Sequence, residues 1–177
     1  MGLTLYAVTD YENDFVDGSL GFEGAEKLDA GIVRRGKEIV AEGGIVLEIH
    51  DTHGPDYLDT REGRALPIVH TVPGTRGWEV YGETGKWLAT VPDRIVVRKS
   101  TFGIAPQDVL ALPDGVDRIE VVGLVTNMCV ISVAVTLQAR YPEAQVVIHG
   151  KLVDSFDKKL HEAALAVMAG MQMEVEG

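Results

Sequence analysis

Short apolar runs alternate along the chain with longer segments in which apolar residues recur at helical spacing. The runs LTLYAV and GIVLEI flank the segment GAEKLDAGIVRRGKEIVAEG. An apolar strand, a helix and a second apolar strand in this order are typical of the βαβ unit of parallel sheets. The apolar residues that we expect on the buried face of this helix are Leu28, Ile32, Ile39 and Val40.

Further strands are predicted at residues 94–99, 118–124 and 144–150 and, near the end of the chain, at QMEVE. Six short, largely apolar strands separated by helices indicate a mostly parallel sheet with helices on both faces. The 177 residues fit one domain, residues 1–177, because typical domains run to roughly 100–200 residues. The predicted fold class is therefore α/β, a single-domain, three-layer sandwich around a six-stranded sheet.

Residues 128–140 carry conflicting signals. The run CVISVAVTL is rich in β-branched residues, whose propensity favours a strand. However, two parallel strands at residues 118–124 and 144–150 need a crossover between them, which is usually helical. We therefore predict a helix here, with Thr126 or Asn127 as its cap. Residues 51–92, by contrast, show no clear period, and a loop of that length in a compact domain is usually functional.

The charge, the apolar runs and the single cysteine limit which binding partners and which cellular compartment we expect. A formal net charge of −11 argues against a nucleic-acid surface, which needs clustered Lys and Arg to neutralise phosphates. No run of about 18 apolar residues is present, so we expect no membrane span. The opening MGLTLYAVTDYEND lacks a basic leader, and one cysteine cannot form an internal disulfide. We therefore expect a cytoplasmic protein.

Side chains capable of chemistry follow several of the predicted strands. Asp10 follows the first, Lys99 closes the third, and Cys129 follows the fourth through the turn VTNM. Ligands of open parallel sheets bind outside the carboxyl ends of the strands. A lone cysteine is often only a small buried apolar residue, but the first turn of a helix and a nearby Lys favour a thiolate. With Asp10 as the acid or base, these residues form a candidate nucleophilic set.

A second candidate site lies in the segment HDTHGPDYLDTREGRALPIVH. Asp51 and His53 lie on the same side of an extended segment, and His70 can return to complete a metal site, with Glu62 between them. His50 is expected to point to the opposite side. Mixed carboxylate and imidazole ligands suit Zn, Mn or Fe(II) without choosing among them. Because loops often carry unpaired histidines, this spacing alone leaves a structural role open.

Several segments together resemble the isochorismatase-like cysteine hydrolase superfamily, which includes nicotinamidases. YAVTDYENDFVDGSL resembles its opening strand and turn, VVRKSTF its catalytic-lysine segment, and GLVTNMCVISVAV its nucleophile turn and helix. DTHGPDYLDTREGRALPIVHTVPGT is similar to the metal loop of the nicotinamidase branch, and DSFDKKLHEAALAVM to the closing helix. These matches follow the order of the family and cover nearly the whole chain.

The resemblance implies a mechanism. Asp10 would take a proton from Cys129, whose thiolate would attack an amide carbonyl, while Lys99 would hold both charges in place. The backbone N–H groups of Val125 and Cys129 would receive the oxyanion, after a non-proline cis peptide between Leu124 and Val125. The metal, held by Asp51, His53 and His70 with or without Glu62, would bind the pyridine nitrogen or waters and position the ring.

The expected activity is that of a nicotinamidase acting in NAD salvage, with a divalent metal, Zn before Mn or Fe. Pro67 stands where nicotinamidases often have an aromatic wall for the ring, and Phe15 and Phe102 are the candidate ring contacts. Another small amide, carbamoyl or ureido substrate is the alternative within the enzyme class. Isochorismate is less favoured because branches acting on it generally lack the cysteine. A non-catalytic binding protein is the alternative of a different class, and the resemblance also implies a homo-oligomer.

Overall fold

One six-stranded sheet organises the protein, whose computed structural model describes residues 2–177. Met1, the first residue of the predicted domain, lies outside the described residues. The strands are β1 (Leu3–Thr9), β2 (Ile45–Asp51), β3 (Ile95–Lys99), β4 (Val116–Leu124), β5 (Gln145–Asp154) and β6 (Glu174–Glu176). They lie in the order β3-β2-β1-β4-β5-β6, and every neighbouring pair is parallel. The predicted α/β fold class with a six-stranded sheet is confirmed.

Seven α-helices connect the strands within residues 2–177. They are α1 (Asn13–Val16), α2 (Asp29–Ala41), α3 (Arg61–Ala65), α4 (Gly82–Leu88), α5 (Pro106–Leu110), α6 (Ile131–Arg140) and α7 (Lys158–Gly170). The long segment between β2 and β3 contains α3, α4 and two short 3-10 helices, at Tyr57–Asp59 and Arg76–Trp78. Among the described residues, no helix combines the length and apolar character that crossing a membrane requires.

Both faces of the sheet are covered, so the apolar residues divide into two cores. Along β1, Leu5 and Ala7 pack with the core that contains Val133 and Leu137 of α6. The alternate residues Tyr6 and Val8 face the other core, which includes residues of α2 and α4. Successive side chains of a strand point to opposite faces, which is why one apolar run can serve two layers.

The buried face of α2 includes three of the four predicted residues. Leu28, just before α2, and Ile32 and Ile39 are buried as expected, but Val40 is 41% exposed. Gly36 lies on the buried face instead, where an added Cβ would come within 2.1 Å of Trp87 Cη2 of α4. The close approach of α2 to α4 rotates the buried stripe toward Gly36, and this leaves Val40 in solvent.

The segment after β4 is helical, as topology rather than propensity predicts. It begins with a π-helical turn, Thr126–Val130, and continues as α6. The predicted caps are wrong, because neither Thr126 nor Asn127 caps the turn with its side chain. The hydroxyl of Thr126 instead lies 2.8 Å from His161 Nδ1, and Asn127 Oδ1 accepts a hydrogen bond from Ser155. These two contacts tie the turn to α7 and to the chain that leads into it.

Candidate active site

The carboxyl ends of neighbouring strands assemble the site. Asp51 and Lys99 are the last residues of β2 and β3, and they are direct partners in the strand register. Asp10 follows β1 with a φ of 45°, a conformation that few non-glycine residues adopt. Cys129 lies in the π-helical turn after β4. The sequence-predicted side chains therefore converge at one edge of the sheet, as the parallel topology requires.

Lys99 lies at the centre of the first group. Its Nζ is 2.6 Å from Asp10 Oδ2 and 3.6 Å from Cys129 Sγ. All three side chains are buried, Asp10 completely. The structure thus brings together the three residues that the sequence predicts as base, cation and nucleophile.

The charge states of this group follow from burial and from mutual attraction. Burial raises the pKa of Asp10 to about 6, although the charge of Lys99 acts to lower it. Burial would lower the pKa of Lys99, but the charges of Asp10, Cys129 and Asp51 hold that pKa well above its usual range. At neutral pH the pair is therefore an ion pair of carboxylate and ammonium.

The acidity expected for Cys129 from its sequence position is wrong for the protein in this state. Burial, followed by the negative charge of Asp10, raises the pKa of the Cys129 thiol well above its usual value, despite the opposing charge of Lys99. The helix start and the nearby Lys were expected to favour the thiolate. Burial outweighs both, so the resting nucleophile is a neutral thiol beside an ion pair.

The turn that carries Cys129 follows directly on Val125, the other residue whose amide is expected to receive the oxyanion. The peptide bond between Leu124 and Val125 is cis, as the resemblance implies. The carbonyl oxygen of Val125 accepts hydrogen bonds from the amides of Met128 and Val130, at 3.1 and 3.2 Å. The amide of Cys129 takes part in neither bond. It lies next to the nucleophilic sulfur of the same residue, which is the position that an oxyanion donor requires.

The second group is a compact cluster of potential metal ligands. Asp51 Oδ2 lies 3.1 Å from His53 Nε2 and 3.4 Å from His70 Nε2, and one ligand atom of each residue lies within 4.8 Å of the others. All three side chains are buried. His70 Nδ1 contacts the carbonyl oxygen of Ile68 at 2.7 Å. A hydrogen bond at that nitrogen leaves Nε2 with a lone pair for a metal.

The donors of this cluster fit a divalent cation. His53 Nε2 is buried without a hydrogen-bond partner of good geometry, and an unsatisfied buried nitrogen is costly unless something else binds it. Burial acts to raise the pKa of Asp51, but the contacts of His53 and His70 and the charge of Lys99 hold it far below its usual range. One carboxylate and two imidazoles are the ligand types of Zn, Mn and Fe(II) sites.

Two further residues of the segment 50–70 lie outside the compact cluster. Glu62, a predicted ligand, has Oε1 at 3.8 Å from His53 Nε2 and lies at the edge of the group. His50 points away from it, with Nδ1 at 3.3 Å from Glu12 and Nε2 at 3.1 Å from Glu48. The alternation of side chains along β2 explains why Asp51 and His50 face different surroundings.

The two predicted ring contacts differ in their position relative to the cluster. The Phe15 ring is buried and lies edge-on to the His70 ring, with the ring centres 5.6 Å apart. Phe102 is 38% exposed. A cavity of about 380 Å³ reaches His53, and Phe102 is not among its lining residues, which are His53, Gly54, Asp56, Tyr57, Thr60, Arg61, Glu62, Ser100 and Thr101.

Sequence reasoning assigns no role to two residues that touch the cluster. Glu12 is fully buried, and its Oε1 accepts a hydrogen bond of 2.8 Å from the amide of Asp51. Thr71 is also fully buried and donates its hydroxyl to Asp51 Oδ2 at 2.9 Å. Glu12 lies in the segment DYENDF, whose dense acidic pattern is a usable signal, whereas nothing in the local sequence marks Thr71.

Comparison with known proteins places this architecture in a family. The isochorismatase domain profile matches residues 4–176. The nicotinamidase structure of Bacillus subtilis has 24% sequence identity and a TM-score of 0.85, and the alignment covers 98% of this chain and 99% of that one. A comparison with curated protein sequences gives no significant match.

Two further solved structures share the fold. A pyrazinamidase of Pyrococcus horikoshii, determined in complex with zinc, has 20% identity and a TM-score of 0.83, with 97% of each chain covered. An N-carbamoylsarcosine amidase of Thermoplasma acidophilum has 21% identity and a TM-score of 0.78, with coverages of 98% of this chain and 95% of that one. The profile match over nearly the whole chain, together with this shared architecture, shows that the protein belongs to the isochorismatase family of hydrolases.

Proposed function

We propose that the protein is a metal-assisted cysteine amidohydrolase that converts nicotinamide and water to nicotinate and ammonia. The observation that carries this proposal is the position of Lys99 between Asp10 and Cys129, at 2.6 and 3.6 Å. Nucleophile, base and cation are thus within reach of one another at the edge of the sheet where ligands bind. The structural likeness to nicotinamidases supports the choice of substrate.

In the first half of the reaction, Asp10 accepts the proton of the Cys129 thiol, and the sulfur attacks the amide carbonyl carbon. The charge of Lys99 stabilises the thiolate as it forms and so opposes the burial that raises the pKa of the thiol. The amides of Val125 and Cys129 stabilise the oxyanion. Collapse of the tetrahedral intermediate breaks the C–N bond, and Asp10 returns its proton to the departing ammonia.

In the second half, water attacks the thioester carbonyl, with Asp10 as the base that takes its proton. The C–S bond breaks, the sulfur recovers a proton, and the carboxylic acid product leaves. A pKa of Asp10 of about 6 suits both roles, since the group is ionised at neutral pH and still basic enough to accept a proton.

Asp51, His53 and His70 would hold the metal, with Glu62 at the edge of the group. A bound cation would supply a Lewis acid that takes the pyridine nitrogen or a water. Phe15, edge-on to His70, contributes an apolar ring beside that position. We propose zinc, because the donor set fits it and a pyrazinamidase of the same fold was determined with zinc. Manganese and iron suit the same donors.

A second candidate is hydrolysis of another small amide, carbamoyl or ureido compound by the same three residues. The cavity beside His53 favours it, because the lining of that cavity includes three charged side chains, those of Asp56, Arg61 and Glu62. The N-carbamoylsarcosine amidase of the same fold supports it too. The non-catalytic binding protein is disfavoured by the intact geometry around Lys99. We also propose a cytoplasmic homo-oligomer acting in NAD salvage, with no nucleic-acid or membrane partner.

The test is release of ammonia from purified protein given nicotinamide and a panel of other amides. Wild type, Cys129→Ala and chelator-treated protein are assayed side by side. We expect nicotinamide turnover that is lost in Cys129→Ala and weakened by the chelator. Turnover of a different amide would retain the cysteine mechanism and reject nicotinamide as the substrate. No turnover by metal-loaded protein with a titratable thiol would favour the binding protein.

A further inference from the structure

Thr71 connects the segments that carry the candidate metal ligands. It directly follows His70 in the chain, its carbonyl oxygen accepts a hydrogen bond of 3.2 Å from the amide of His53, and its hydroxyl donates to Asp51 Oδ2. The side chain is 0% exposed. Thr71 therefore contacts two of the three ligands and is covalently joined to the third.

The backbone at this position is held in an unfavourable conformation. Thr71 has a φ of 47°, which is disfavoured for a β-branched residue. Its amide donates a hydrogen bond of 2.8 Å to Asp14 Oδ2, and Asp14 belongs to α1. Strained conformations persist only where the surroundings enforce them, and they concentrate at functional sites. Here the bond to Asp14 holds the residue so that its hydroxyl reaches Asp51.

The two oxygens of Asp51 serve different partners. Oδ1 lies 3.4 Å from Lys99 Nζ, on the side of the nucleophile. Oδ2 faces His53 Nε2 and His70 Nε2 and also accepts the Thr71 hydroxyl. Without that hydroxyl, Oδ2 would keep only its contacts with the two imidazoles, so the carboxylate would be less firmly held against the attraction of Lys99.

We propose that Thr71 is a positioning residue that fixes the Asp51 carboxylate, with one oxygen turned to the metal site and the other to Lys99. The inference rests on the metal site of the proposed function and on none of its chemistry. Outer-shell hydrogen bonds of this kind typically change metal affinity about 10- to 100-fold when removed.

The test is a titration of metal-free protein with Zn²⁺ and, separately, with Mn²⁺, in competition with a chromogenic chelator. Thr71→Val removes the hydroxyl and keeps the β-branch, and Thr71→Ala removes it with less bulk. Thr71→Ser keeps the hydroxyl and is the matched control. We expect the Val and Ala variants to bind about 10-fold more weakly or worse, and the Ser variant to bind within about 3-fold of wild type. Thermal unfolding of the metal-free proteins by circular dichroism identifies loss of the fold.

Several results would overturn the proposal. One is unchanged affinity in the folded Val or Ala variant, and another is a loss in the Ser variant as large as in the Val variant. Unfolding of both hydroxyl-free variants with a folded Ser variant would assign the hydroxyl to the fold instead. Absence of Zn²⁺ and Mn²⁺ binding by wild type would remove the site itself. Because no substrate is used, failure of nicotinamide hydrolysis would leave these results unaffected.

Discussion

Two completely buried carboxylates, Asp10 and Glu120, are embedded in the same sheet and are held in opposite ways. Glu120 lies within β4 and accepts hydrogen bonds of 2.7 Å from two nitrogens of Arg35 and from Arg118 Nε, while His149 Nε2 lies 2.6 Å away. Asp10 follows β1 and has one close charged contact, with Lys99 at 2.6 Å, and no well-aligned hydrogen bond. Equal burial thus accompanies very unequal pairing.

The two environments shift acidity in opposite directions. Burial acts to raise the pKa of Glu120, but the hydrogen bonds of Arg35, His149 and Arg118 outweigh it and hold the pKa far below its usual range. Burial raises the pKa of Asp10 to about 6, and Lys99 only partly opposes it. A buried carboxylate with full pairing is a permanent charge that supports the fold. One with partial pairing titrates near working pH, which is what a catalytic base needs.

The largest expected effect lies on the Asp10 side of the comparison. Replacing Cys129 with Ala removes the atom that would form the covalent bond, so turnover of the substrate should fall by at least about 10⁴-fold. The measurement is ammonia release under saturating metal. Thermal unfolding is the control, since a small buried thiol contributes little to the fold. Retention of more than a hundredth of the activity would argue against Cys129 as the nucleophile.

The second prediction separates the two carboxylates directly. Asp10→Asn should lower kcat about 10³-fold, because a general base contributes about 10²- to 10⁴-fold. Glu120→Gln should leave kcat within about twofold and lower the free energy of unfolding by about 2–3 kcal/mol, since removing one member of a buried charge cluster is strongly destabilising. This estimate is reduced because the cationic partners of Glu120 are partly exposed.

Kinetics and urea unfolding measured on both variants complete this test. Asp10→Asn should change stability little, because the loss of the buried ion pair with Lys99 opposes the relief of a carboxylate that burial disfavours in its charged form. Two results would contradict the division into a catalytic Asp10 and a structural Glu120. One is a loss of activity without a loss of stability in Glu120→Gln, and the other is easier unfolding with retained activity in Asp10→Asn.

The third prediction uses pH to distinguish the same two groups. The carboxylate of Asp10 is the active form, so kcat/KM should fall about tenfold per pH unit below a midpoint near the pKa of about 6. The pKa of Asp10 in the folded protein lies above the usual Asp value of 3.8, so its contribution to stability is present below pH 3.8 and is lost as pH rises through about 6.

Glu120 has the opposite sign, because its pKa is lowered in the folded state. Its contribution to stability is present above the usual Glu pKa of 4.5 and is lost as pH falls through the lowered folded value. The difference in unfolding free energy between wild type and Glu120→Gln should therefore shrink progressively below pH 4.5. Urea unfolding at several pH values measures it, and a difference that grows on acidification would contradict the assignment.

The sequence predicts the Asp10 side of this comparison far better than the Glu120 side. Asp10, Lys99 and Cys129 follow the ends of apolar runs, and parallel topology brings such ends together. Asp51, His53 and His70 carry a ligand-like spacing within one segment. Local patterns of this kind are sufficient to predict the site, because residues that follow parallel strands all lie at the same edge of the sheet.

Features that depend on residues far away in the sequence cannot be predicted from local sequence patterns. Glu120 stands in the middle of the run RIEVVGL, and its partners Arg35 and His149 come from α2 and β5. Thr71 has no neighbours in sequence that point to Asp51. The acidity of Cys129 is not predictable from sequence for a related reason: a helix start and a nearby Lys are local features, whereas burial is a property of the whole fold.

The smallest expected effect concerns a third carboxylate that is only partly buried. Asp157 caps α7, and its Oδ1 accepts hydrogen bonds of 2.9 and 3.0 Å from the amides of Lys159 and Leu160. Asp157→Ala should cost about 1 kcal/mol of unfolding free energy, the usual value of an N-cap, and Asp157→Asn should retain most of it. Urea unfolding at neutral pH measures both variants. Because the Asp157 carboxylate is already partly hydrated in the folded protein, replacing it should cost less unfolding free energy than replacing Glu120. An equal loss would mean that pairing with buried charge is not what distinguishes Glu120.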